Sequence, residues 1–169
     1  VKEVAELLNG MREAGVIRNY ALFGATAQMR YTDAVVTVDV DVLVDLPDME
    51  RLDALQPIYD HCARLGLIPE GEAIRIGAWP VQFIAAFSNL THEALETAEE
   101  ADLEGVPLRV VRAVYLAAIA LSVGRSKDTS RIVALLDAGA VAREELETLA
   151  SRHGLAEKWV RFRKRFLDE

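Results

Sequence analysis

The run Thr37-Val38-Asp39-Val40-Asp41-Val42-Leu43-Val44-Asp45 alternates acids with aliphatic residues. Alternation at period two is the signature of a β-strand with one buried face, so a strand is expected over about 36–45. Its second face carries Asp39 and Asp41, with Asp45 at the end. Two carboxylates side by side on a half-buried strand resist joint ionisation, because each disfavours charge on the other. A divalent cation reverses that preference, since it takes oxygen ligands and favours both charges. The alternative is a solvated edge strand whose acids simply face water, although Asp is disfavoured in strands without a reason.

The rest of the chain supplies a setting for this strand. Val4, Leu7, Leu8 and Met11 recur at helical spacing, which predicts a helix over about 2–14. Tyr20–Phe23 reads as a short buried strand, broken by Gly24, and 25–30 can begin a helix. After Leu46-Pro47, Asp48 is a candidate N-cap for a helix over about 49–65, with Leu52, Leu55, Ile58, Tyr59 and Cys62 inward. Strands are expected at 73–76 and 80–84, paired across Gly77, and at 106–110. A helix capped by Thr91 is expected at about 92–99. From Arg112 onward the pattern is helical, over about 112–123, 127–138, 143–153 and 156–167. The fold class is therefore α+β: a small mixed sheet with flanking helices and a C-terminal helical bundle. The expected organisation is a core over 1–111 and a helical subdomain over 112–169.

At 169 residues and 51% hydrophobic, the chain can bury a real core. No apolar run is long enough to span a bilayer, so no membrane partner is expected. Cys62 is the single cysteine, which excludes an intrachain disulfide and fits a cytoplasmic location. No stretch reads as a secretory leader. The net charge of −8 argues against coating long duplexes, which calls for a basic protein. It leaves room for a nucleotide held through metal ions, or a short nucleic-acid end at a local basic patch. His61, His92 and His153 share no metal-ligand spacing and read as surface or capping residues.

Strand, glycine turn, helix start and an Asp-x-Asp strand together form a pattern: Phe23-Gly24-Ala25, a thirteen-residue spacer over 26–38, then Asp39-Val40-Asp41-Val42. This resembles the nucleotidyltransferase superfamily of the polymerase-beta type. Gly124-Arg125-Ser126-Lys127-Asp128, before the helical Arg131–Leu136, looks like the Arg-x-Lys-Asp segment of AbiEii-like nucleotidyltransferases, a family that includes the toxins of bacterial toxin–antitoxin pairs. The similarity runs from about Tyr20 to Asp137.

The resemblance implies a magnesium-dependent transferase that moves a nucleoside monophosphate from an NTP to an RNA end, a protein or a small molecule. It implies a two-metal Mg2+ site on Asp39 and Asp41. Gly24 and Ala25 would lie against the triphosphate, and Arg125, Lys127 and Asp128 would support its charge. An antitoxin partner or a homo-oligomer is a further implication. Three positions depart from the family pattern. Ala25 stands where Gly or Ser is common. Gln82 stands where a later strand often bears a third carboxylate, and a neutral amide cannot cancel metal charge. No lysine stands near Ala120. A catalytically weakened binding or regulatory protein on the same fold is therefore the competing expectation.

Several signals have plainer readings. Ser126 could cap the helix after it, with Asp128 favourable in its first turn. Arg30 is a weaker phosphate candidate. Trp159, Phe162 and Phe166 fall at helical spacing as a packing stripe, and the basic residues between them suit a helix C-terminus or, alternatively, a phosphate-binding patch.

Overall fold

The computed structural model describes residues 1–33 and 37–168. Position 36 of the strand expected over 36–45 and part of the spacer lie outside the described residues, while 37–39 are described and are not strand, so the strand starts later than expected, at Val40. Strand β1 (Asn19–Phe23) runs antiparallel to β2 (Val40–Asp45), and β2 lies parallel to β5 (Trp79–Ala85). Among the described residues the strands form one seven-stranded sheet in the order β3-β4-β5-β2-β1-β7-β6. The acidic strand is thus central, not an edge, and the solvated-edge alternative falls. Val40, Val42, Leu43 and Val44 are all buried, while Asp41 and Asp45 are half-buried.

A parallel pair needs a crossover, and the chain makes it through helix α3 (Gln56–Arg64) and the antiparallel strands β3 (Ile68–Glu70) and β4 (Ala73–Ile76). The helix expected over 49–65 begins only at Gln56. Pro57 explains this: it is tolerated in the first helical turn and would break a longer helix around it. Residues 49–55 are turns instead. Asp48 Oδ1 accepts from Glu50 N at 3.2 Å, Arg51 forks onto Asp53, and Leu52, expected inward, is exposed.

The hairpin across Gly77 forms, with Ile76 opposite Trp79 and Gly77 at φ +61°. The helix expected over 92–99 is α4 (Asn89–Glu96). Its cap is Ser88, and Thr91 sits at the third position of a capping box, Thr91 N donating to Ser88 Oγ at 3.1 Å. Two strands were not legible as strands: β3, fully exposed and holding Pro69, and β6 (Glu99–Leu103), acidic and on the opposite edge. β6 turns through Glu104 and Gly105, both at positive φ, into β7 (Val106–Val110).

Helix α1 (Lys2–Glu13) buries Val4, Ala5, Leu8 and Met11 and packs on β1 and β7. Four helices end the chain: α5 (Ala113–Val123), α6 (Ser126–Asp137), α7 (Arg143–Arg152) and α8 (Ala156–Phe166). α5 is apolar on every side and buries nine residues. A helix of that kind is stable only when surrounded. It touches α2 (Gly24–Gln28), α4, α6, α7 and α8. No described helix is long and apolar enough to cross a membrane.

Candidate active site

The site is built where β1 ends and β2 begins. Phe23 is the last residue of β1 and stands opposite Asp41. The chain then turns sharply, and Gly24 takes φ +62°, a conformation L-residues with a side chain avoid. A Cβ on Gly24 would also collide with Asp41 Oδ2. Backbone and acid therefore approach as closely as they can. Ala25 follows in α2, a helix of five residues.

Across β2, Asp41 is paired in parallel register with Gln82 of β5. Residues paired in a sheet project to the same face, so the amide stands beside the carboxylate. Asp39 precedes the strand. Its carbonyl accepts from Thr37 Oγ1 at 2.7 Å and from Thr26 Oγ1 at 3.4 Å, which ties the start of β2 to α2. Burial, and next the Asp39 carboxylate, raise the Asp41 pKa. Lys127, Arg131 and Arg125 pull it back down. The Arg-x-Lys-Asp segment, more than eighty residues away in sequence, therefore acts on the charge of Asp41.

Asp128 organises that segment. It is 1% exposed and sits in the first turn of α6. Its Oδ2 accepts from Arg125 Nε at 2.8 Å and from Arg125 N at 3.2 Å, and its Oδ1 lies 3.5 Å from Arg131 Nη1. The N-cap residue is Arg125, not Ser126 as the alternative reading had it. Asp128 thus closes the helix start and holds two guanidinium groups. Arg131 continues the chain of contacts, donating from Nε to Gln28 Oε1 at 3.0 Å. Gln28 is buried at the end of α2, so the ion pair is fastened to the helix that begins at Gly24. Burial lowers the Arg131 pKa against the opposing pull of Asp128 and Asp41.

Gly24, Asp41 and Gln82 are thus immediate neighbours, with Asp39 at the strand start. Arg125 and Lys127 are exposed and lie within electrostatic reach. Arg131 and Gln28 were not expected at the site. The Asp128–Arg131 spacing of three is a helical ion-pair signal that could have found the first. Nothing local marks the second, because its partner is 103 residues away. Arg30 is paired with Glu99 at 3.4 Å, and Asp45 ends β2 four residues from Asp41, about 13 Å along a strand.

Among the described residues no group of three or more His, Cys, Asp or Glu could hold a metal ion. Two adjacent carboxylates do suit magnesium, which is commonly bound by one or two carboxylates with its other ligands from phosphates and water.

No protein-family model matches the chain, and no curated protein matches it in sequence. Solved structures do. One is an antigenic nucleotidyltransferase-like protein from Paracoccidioides brasiliensis, with TM-score 0.58 and 13% identity over 94% of this chain and 91% of that one. Another is the antibiotic-resistance factor ANT(2'')-Ia in solution, with TM-score 0.53 and 13% identity over 96% and 95%. ANT(2'')-Ia in complex with adenylyl-2''-tobramycin gives TM-score 0.52 and 16% identity over 96% of each chain. At such identity the likeness speaks for the backbone, and what it says is plain: this chain has the nucleotidyltransferase fold.

Proposed function

We propose that the protein is a magnesium-dependent nucleotidyltransferase of the AbiEii-like kind, moving a nucleoside monophosphate from an NTP to an acceptor. The observation that carries this reading is the approach of Gly24 to Asp41, on the central strand, with Lys127, Arg131 and Arg125 each favouring the charged form of the same carboxylate. Asp39 and Asp41 would hold the metal, which supplies charge neutralisation for the phosphates. The bare glycine lets the triphosphate approach the backbone. Arg125 and Lys127 stabilise charge on the phosphoryl oxygens, and Asp128 fixes Arg125 so that little reorganises during transfer. In this chemistry positioning and electrostatics do nearly all of the work.

The test is transfer of labelled phosphate from each NTP by the wild type and by the Asp39→Asn/Asp41→Asn double variant. The wild type is expected to transfer, and the double variant to lose transfer while keeping its circular dichroism and melting behaviour. Unchanged transfer in the double variant would sink the proposal. A second reading has its own support in Gln82, whose neutral amide occupies the place beside Asp41. On that reading the fold binds or regulates without transfer. Calorimetric titration with NTP, with and without magnesium, separates the two, because magnesium-independent behaviour favours the second.

A further inference from the structure

Helix α8 carries Lys158, Arg161, Arg163, Lys164 and Arg165 against one acid, Glu157, in a chain whose net charge is −8. Arg163 is accounted for by Asp168 at 3.1 Å and Glu147 at 3.7 Å. Lys158, Arg161 and Arg165 are exposed and make no ion pair among the described residues. The helix dipole accounts for cations in the last turn, but not for Lys158 in the first or Arg161 in the middle. These three cations instead line one groove of about 370 Å³, together with Phe162, Phe166, Leu121, Thr129 and Gly124.

In sequence the groove flanks the Arg125–Asp128 segment on both sides. Gly124 is bonded to Arg125, and Thr129 directly follows Asp128 in α6. Phe166 is 44% exposed, lies 5.0 Å from Phe162 between ring centroids, and has the Arg165 guanidinium 5.1 Å from its centroid. Cations beside an exposed aromatic face are what single-stranded nucleic acid requires: charge for the backbone and a ring for a base. The volume suits a ligand of drug-like size, about a nucleotide or two, and is too small for a duplex. Thr129 places a hydroxyl in the wall, a partner for a ribose 2′-hydroxyl. A cationic acceptor would be repelled here.

We infer that this groove binds the end of a single-stranded RNA and leads it to the transfer site as the acceptor. The acceptor role rests on the transferase reading above; the binding does not. Binding is measured by fluorescence anisotropy of a labelled single-stranded oligoadenylate, without NTP or magnesium. With three phosphates engaged, a fourfold rise in salt is expected to weaken binding about twentyfold. Lys158→Glu/Arg161→Glu is expected to weaken it more than tenfold. Arg161→Glu/Arg165→Glu should do the same while keeping the 2.7 Å bond from Lys158 Nζ to the Ser122 carbonyl, which guards against a folding artefact. Arg64→Glu, at an exposed position of α3, should change nothing. No RNA binding, binding indifferent to both double variants, equal binding of the matching DNA, or a preference for anionic lipid vesicles would each overturn the inference. RNA binding without any transfer would overturn only the transferase reading.

Discussion

Gly24 meets two separate demands, one of conformation and one of space. At φ +62° any side chain costs about 1–2 kcal/mol, and here a Cβ also meets Asp41 Oδ2. The carboxylate is the end of a side chain and can swing away, so the fold survives the collision but the site does not. Gly24→Ala is therefore expected to melt only a few degrees lower, yet to lose magnesium-dependent NTP binding to about the same extent as Asp41→Asn. Binding retained in Gly24→Ala would show that the close approach has no role. At this scale the sequence was informative wherever one residue type has few uses. A glycine at a strand end and two acids one residue apart at a strand start are such signals. Arg131 and Gln28 were hidden because a half-buried arginine and a buried amide look like surface residues until their partners are known.

Among the elements, α4, α5 and α7 meet at one carboxylate. Glu93 accepts from both Arg152 terminal nitrogens at 3.0 and 3.2 Å and from the Tyr115 hydroxyl at 3.1 Å, with His153 Nε2 at 3.0 Å. Arg152 first, then His153 and Tyr115, hold its pKa down to about 2 from an ordinary 4.5, against a smaller opposing effect of desolvation. A depressed carboxylate stabilises the fold fully above its unfolded value and loses that contribution as pH falls through the folded one. The wild type should therefore melt above Glu93→Gln at pH 6, and the gap should close between about pH 4.5 and pH 2. A gap that stays constant down to pH 2 would mean that Glu93 is not the anchor. Element types were legible where periodicity was strong, as in α1 and β2, or where an apolar run was long, as in α5. β3 lacked alternation because it buries no face, and in β6 the half-buried Ala101 and Leu103 are too few among acids to mark a strand. The start of α3 was misplaced because apolar spacing was weighed above Pro57.

Across the whole molecule, α5 decides how separable the sheet and the helical end can be. It is apolar all round and touches α2 and α4 as well as α6, α7 and α8. Cutting the chain before it would expose a core on both pieces. The sequence showed that such a helix must be buried, but not that its cover comes from both halves, since that depends on contacts distant in the chain. The protein is therefore expected to unfold in one cooperative step. Its two tryptophans make this measurable, because Trp79 lies on β5 and Trp159 is buried in α8. In Trp79→Phe and Trp159→Phe, each with one tryptophan left, the fluorescence midpoint should coincide with that of far-ultraviolet circular dichroism. Leu116, fully enclosed in α5, should cost about 2–5 kcal/mol when cut to alanine. Added to either background, Leu116→Ala should lower the fluorescence midpoint by the same amount. If the Trp159 signal fell while Trp79 held, the helical end would be melting on its own, and α5 would belong to it rather than to the molecule.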